Sequence, residues 1–81
     1  MKDNAMIPIQ VTARFDANGE IQPESFHWQG SEYPIISTGR QWFDDKGHHV
    51  LVMIPGDQVF ELVFVPIEMV WYLGSLEAYR A

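Results

Sequence analysis

His49-Val50-Leu51-Val52-Met53-Ile54, then Pro55-Gly56-Asp57, then Gln58-Val59-Phe60-Glu61-Leu62-Val63-Phe64-Val65 is the stretch that decides the fold. Two runs dense in β-branched and aromatic residues flank a proline–glycine turn, the pattern of a β-hairpin. Glycine at the first central position of Gly56-Asp57 predicts a type II′ turn. That turn pairs Ile54 with Val59, Met53 with Phe60, Val52 with Glu61 and Leu51 with Leu62. Leu51, Met53, Phe60, Leu62 and Phe64 then share one face, expected to be the core. Val50, Val52, Ile54, Val59 and Val63 share the other, with Glu61 among them. A small barrel has one interior, so the valine-rich face needs a separate cover, from the C-terminal segment or from another protein. Val50, Val52, Ile54, Val59, Glu61 and Val63 are therefore candidate interface residues.

Working outward, glycines at 19, 30, 39, 47 and 56 recur 8 to 11 residues apart in polar, turn-like settings. Turn signals at that spacing between apolar runs mark a chain of hairpins. Ile7, Ile9, Val11, Ala13 and Phe15 alternate with polar or proline positions, the period of a half-buried strand. Asp16-Ala17-Asn18-Gly19 suits a type I turn closed by glycine, setting Phe15 opposite Ile21. Apolar parity then switches from odd at Ile21 to even at Phe26 and Trp28, which predicts a break or bulge near Pro23-Glu24. A tight Gln29-Gly30 turn sets Trp28 opposite Ser31, His27 opposite Glu32 and Phe26 opposite Tyr33. A fourth strand is expected over Arg40 to Phe43. Past Pro66, a strand through about Leu73 is expected, followed by a short strand or one helical turn, although Met69, Leu73 and Leu76 also fit helical spacing. The fold class expected is all-β: an SH3-like barrel or a strongly bent antiparallel sheet of five or six strands. Residues 1–6 are expected to be a flexible start and 7–81 a single β domain.

Size and charge narrow the function classes. At 81 residues with no cysteine, neither disulfides nor thiolate metal sites reinforce the core, and stability rests on a composition that is 47% hydrophobic and 14% aromatic. Eleven acids against five bases give a net charge of −6, which repels phosphate backbones. Duplex nucleic acid is accordingly not an expected partner. No apolar run of useful length follows Met1-Lys2-Asp3-Asn4-Ala5, and no stretch is long enough to span a bilayer, so a cytoplasmic location and no membrane partner are the expectations.

No catalytic constellation stands out. His48-His49, adjacent on a strand, point to opposite faces and do not readily ligate one metal, and they read as a pair flanking a turn. The acids of Asp44-Asp45-Lys46-Gly47 lack the alternating oxygen ligands of a calcium loop. Neither a nucleophile motif nor a glycine-rich phosphate loop is present, so no cofactor is expected. Glu61 among valines is the one carboxylate with a candidate acid–base role. The simpler reading is a residue satisfied by Arg40 or Arg14. Trp28 and Trp42 with Arg40 form a possible stacking surface for bases, whereas core filling is the plainer role for the tryptophans.

The run Phe26-x-Trp28-x-Gly30-x-x-Tyr33-x-Ile35, with Trp42, Phe60-Glu61-Leu62 and Trp71-Tyr72-Leu73, resembles a small bacterial all-β domain family of unknown function. Some members of that family are associated with Y-family DNA polymerases. The resemblance spans roughly residues 7 to 79 and rests on hydrophobic and turn positions. It implies an association with nucleoprotein. Where that family carries arginines around the hairpin turn, this chain has His27, Gln29, Ser31 and Glu32. The leading expectation is a non-enzymatic protein-interaction module or accessory subunit, through a protein partner or self-association. The alternative is a single-stranded nucleic-acid or nucleoprotein-associated module, with an enzyme centred on Glu61 third.

Overall fold

A computed structural model describes residues 6–74, and the expectations for residues 1–5 and 75–81 lie outside them. Seven strands follow in order: β1 (Ile7–Phe15), β2 (Ile21–Trp28), β3 (Ser31–Pro34), β4 (Ser37–Asp44), β5 (Gly47–Ile54), β6 (Gln58–Val65) and β7 (Val70–Leu73). They make one antiparallel sheet in the order β3-β2-β1-β7-β6-β5-β4. The count of seven exceeds the expected five or six, and an SH3-like closure is replaced by an open, curled sheet. There is no helix among the described residues. None, therefore, is long and apolar enough to cross a membrane.

The sheet curls into a half-barrel. Phe26 on β2 meets Phe60 on β6 with ring centroids 5.4 Å apart, although β1 and β7 lie between those strands in the sheet. The two edge strands are linked at Ile35-Ile36. The Ile35 amide donates to the Glu24 carbonyl on β2 and the Ile36 amide to the Met53 carbonyl on β5, so consecutive residues tie opposite flanks of the sheet together.

Several register expectations hold. Phe15 pairs with Ile21, and Gly19 N donates to the Asp16 carbonyl as a type I turn requires. The bulge falls where parity switches: Thr12 pairs with Ser25 but Ala13 with Pro23, leaving Glu24 extra. Around Gln29-Gly30 the pairs are Trp28–Ser31, His27–Glu32 and Phe26–Tyr33.

The central hairpin differs. Ile54 pairs with Gln58, Met53 with Val59, Val52 with Phe60 and Leu51 with Glu61, one residue away from the expected register. The Asp57 amide donates to the Ile54 carbonyl, and Gly56 has φ 93°. Pro55 and Gly56 are thus the two central residues of a type II turn, whose first position suits proline and whose second requires positive φ. The proline belongs to the turn, and the loop gains a residue. A one-residue slip exchanges faces. Val50, Val52 and Ile54 join Phe60, Leu62 and Phe64 in the core, with Phe26, Trp71 and Leu73 packed against them. Leu51, Met53, Val59, Glu61 and Val63 share the outer face. The expected core face and the expected valine-rich surface are therefore each split between the two sides.

Candidate functional site

Two sites emerge at one end of the half-barrel, on opposite faces of the sheet. The turns β1–β2, β4–β5 and β6–β7 all lie at this end, since Phe15 pairs with Ile21, Asp44 with Gly47 and Val65 with Val70. Here the start of β2 and the end of β4 face each other across the open side. Between them lies a cavity of about 570 Å³ lined by Phe15, Ile21, Gln41, Phe43, His48 and Phe64. That volume lies within the range of about 300–1,000 Å³ usual for ligand sites. Phe15 is 63% exposed and Phe43 75% exposed, as befits strand-end residues overhanging the opening. A second hollow of about 260 Å³ shares Phe15, Ile21 and Phe64 and continues to Trp71 and Met69. The two form one apolar trough across the mouth.

His48 and Gln41 supply the polar floor. The Gln41 side-chain oxygen only accepts, so His48 Nε2 carries the proton and donates to it at 3.0 Å. His48 Nδ1 is then a bare acceptor, buried and without a partner. Burial, reinforced by the neighbouring charge on His49, pushes the His48 pKa below its ordinary value and holds the ring neutral. Phe43 stacks on it with centroids 4.2 Å apart.

The outer-face site centres on His49. Gly47 allows β5 to begin this close to β6, because a Cβ there would collide with the Phe64 carbonyl. His49 Nε2 donates to Asp44 Oδ1 at 2.8 Å, and Nδ1 to Glu61 Oε2. Burial alone pushes the His49 pKa down, but the hydrogen bonds and charges of Glu61 and Asp44 outweigh it, and the net shift is upward. Asp44 is lowered first by its bond from His49, then by the Lys46 amide. Trp42 lies flat on His49 at 4.9 Å, and the Arg40 guanidinium sits 5.0 Å over Trp42.

The candidate residues fall as follows. Val50, Val52 and Ile54 are core, and Val63 is fully buried on the outer face. Val59 and Glu61 are half-buried. Glu61 takes its partner from His49, not from Arg14 or Arg40: Arg14 pairs with Glu24 at 2.8 Å and Arg40 lies over Trp42. Trp28 packs on Phe60 and Tyr33 on the inner face, Trp42 lies on the outer face, and Trp71 is core against Phe64. The structure thus separates Trp28 from the Arg40–Trp42 pair. His48 and His49 do face opposite ways, but each has a defined partner set that the turn-flanking reading lacks. The trough was not among the expected sites. Its one sequence signal is the shared Phe-Asp ending of two strands, Phe15-Asp16 and Phe43-Asp44, which leaves an aromatic ring at each lip.

Comparison with known proteins gives no match to a family model, to a curated protein or to a solved structure.

Proposed function

We propose that this domain is a non-enzymatic interaction module whose binding site is the apolar trough at the mouth of the half-barrel. The observation that carries the reading is the clustering of exposed apolar side chains there. Phe15, Phe43, Ile67 and Met69 are all at this end, and only Ile7 and Ile36 share that degree of exposure elsewhere among the described residues. Concentrated exposed apolar surface around a hollow marks a recognition site more often than chance packing. The polar groups support binding over catalysis. Both His49 nitrogens are engaged by carboxylates, and His48 donates to Gln41 with Nδ1 sealed from solvent. The test is affinity capture with the parent and with Phe15→Ser/Phe43→Ser, after circular dichroism shows both folded. A protein held by the parent and lost by the variant is the expected result. A partner retained equally by both would place the function elsewhere.

One observation favours the nucleoprotein reading: the Arg40 guanidinium over Trp42, a cationic plane on which a base can be laid although His49 and Arg40 cover the indole itself. Stacking contributes roughly 1–3 kcal/mol per base, little against a chain of net charge −6. Fluorescence anisotropy with labelled oligonucleotides is expected to show no duplex binding and at most weak, salt-sensitive single-strand binding. Sub-micromolar binding abolished by Arg40→Ala would reverse the ranking.

A further inference from the structure

Resting on the trough as the binding site, we infer that its occupant is an extended peptide segment of a partner protein, carrying an aliphatic or aromatic anchor flanked by lysine or arginine. Shape is the first ground. The two hollows lie side by side and share Phe15, Ile21 and Phe64, so the apolar surface runs across the mouth from Phe43 to Met69. A trough of that form suits a chain laid along it, with one large side chain dropped into the larger hollow. Phe43 and Phe15 at the lips offer ring faces to that anchor.

Charge is the second ground. Glu20 lines the larger hollow, and Asp16 and Asp45 lie in the turns just beyond Phe15 and Phe43, against Lys46, whereas Asp44 and Glu68 are held on the outer face by His49 and Tyr72. The charge of His49 is already held between Asp44 and Glu61, and Arg14 is paired with Glu24. One of these carboxylates is fixed in its ionised form: Asp16 accepts from the Asn18 and Glu20 amides and from Gln22. An apolar slot whose rim carries net negative charge selects a partner with the opposite sign beside its anchor.

The same rim argues against the other occupants. Two copies meeting mouth to mouth would bring carboxylates against carboxylates, and a nucleic-acid backbone would meet the same field. Edge-to-edge pairing is opposed as well. The edge strand β3 ends in Pro34, and the edge strand β4 carries a bulge between Thr38 and Gln41.

A random peptide library displayed against the immobilised full chain, at near-physiological salt, tests the inference. The expected outcome is enrichment of sequences with one leucine, phenylalanine or tryptophan between basic residues. A synthetic peptide of the enriched sequence should shift the backbone amides of Phe15, Ile21 and Phe43 in NMR spectra. It should also bind roughly tenfold more weakly to Glu20→Lys/Asp45→Lys and at raised salt, as rim charges dictate. Both substituted residues are exposed, and neither side chain makes a described hydrogen bond, so the variant keeps the fold. Enriched apolar peptides without basic flanks, lost on Phe15→Ser/Phe43→Ser, would overturn this inference and leave the trough as the site. Peptides that bind that double variant equally well would overturn the trough itself, as would no enrichment at all. Sedimentation of the free chain covers the remaining occupant: a dimer that Phe15→Ser/Phe43→Ser dissociates would make a second copy the ligand and sink the basic-peptide assignment.

Discussion

His48 and His49 are neighbours on β5, yet the sheet gives them opposite chemistry. His48 faces the inside of the half-barrel, gives its one proton to Gln41 and is kept neutral by burial. His49 faces outward, lies under Trp42 and is held charged between Asp44 and Glu61. Both are at least nine-tenths buried, so exposure does not separate them. The partners do. Lone carbonyl-type acceptance leaves a histidine neutral, whereas two carboxylates outweigh desolvation. The inner face of β5 thus tolerates polarity only without charge, while the outer face is built around a charge. Neutral His48 in the floor of the trough leaves that surface uncharged, and charged His49 locks the β4–β5 turn beside Phe43.

The largest expected contrast between the faces comes from hydrophobic truncation. Leu62 is fully buried on the inner face, and Leu51 is half-buried on the outer one. Leu62→Ala is expected to cost about 2–5 kcal/mol, lost transfer energy plus a cavity that neighbours only partly refill. For a domain this small that approaches the whole stability. Leu51→Ala should cost about 1 kcal/mol, intermediate between core and surface substitutions. Denaturant titration of the two variants decides the point. Equal losses would mean that the outer face is packed as tightly as the core.

Next in size is Glu61→Gln, which removes one of the two charges holding His49 while keeping the shape. Loss of a charge-assisted hydrogen bond in this largely buried position is expected to cost about 1–3 kcal/mol. The His49 pKa should fall towards or below its ordinary 6.5, read by NMR titration of the ring protons. An unchanged titration would mean that Asp44 alone holds the charge.

The two histidines should also bend the stability–pH curve in opposite directions. For His49 the folded pKa lies above the unfolded 6.5, so its stabilisation is complete below about pH 6.5 and is lost as pH rises through the folded value. For His48 the folded pKa lies below 6.5, so stability falls as pH drops from 6.5 towards that value, because only the unfolded chain takes up the proton. The histidine contribution should therefore peak near pH 6.5. Glu61→Gln is expected to flatten the alkaline limb and His48→Leu the acid limb, each leaving the other intact. A single variant that removes both limbs would show that the pair titrates as a unit.

The same contrast explains how much was legible in the sequence. Local turn chemistry was readable: Asp16–Gly19, the parity break at Pro23-Glu24 and the Gln29-Gly30 hairpin each set a register from adjacent residues alone. The central hairpin was not, because both registers of residues 49–65 place apolar residues on both faces. Hydrophobic pattern therefore exerts no pull, and the outcome hangs on whether Pro55 ends a strand or opens a turn. The separation of His48 from His49 followed from strand alternation. Their protonation did not, since His49 takes Glu61 from twelve positions along the chain. The trough was hidden for a related reason: its lips come from β1 and β4, at opposite sides of the strand order, and only the curl brings them together.

The smallest effect is expected at the third histidine, which serves as the control. His27 and Glu32 face each other across the β2–β3 hairpin, 3.7 Å apart, with about half of each side chain exposed. Glu32 also accepts from the Ser25 hydroxyl at 3.0 Å, so the carboxylate is held without the histidine. Water screens this pair on every side that burial protects His49, and exposed pairs contribute about 0–1 kcal/mol. Glu32→Gln should therefore change stability by well under the Glu61→Gln cost and leave both limbs of the pH curve in place. The two variants measured side by side isolate burial as the variable, since each removes one carboxylate charge opposite a histidine. A Glu32→Gln loss matching that of Glu61→Gln would mean that proximity of charge, and not its removal from water, governs the outer face.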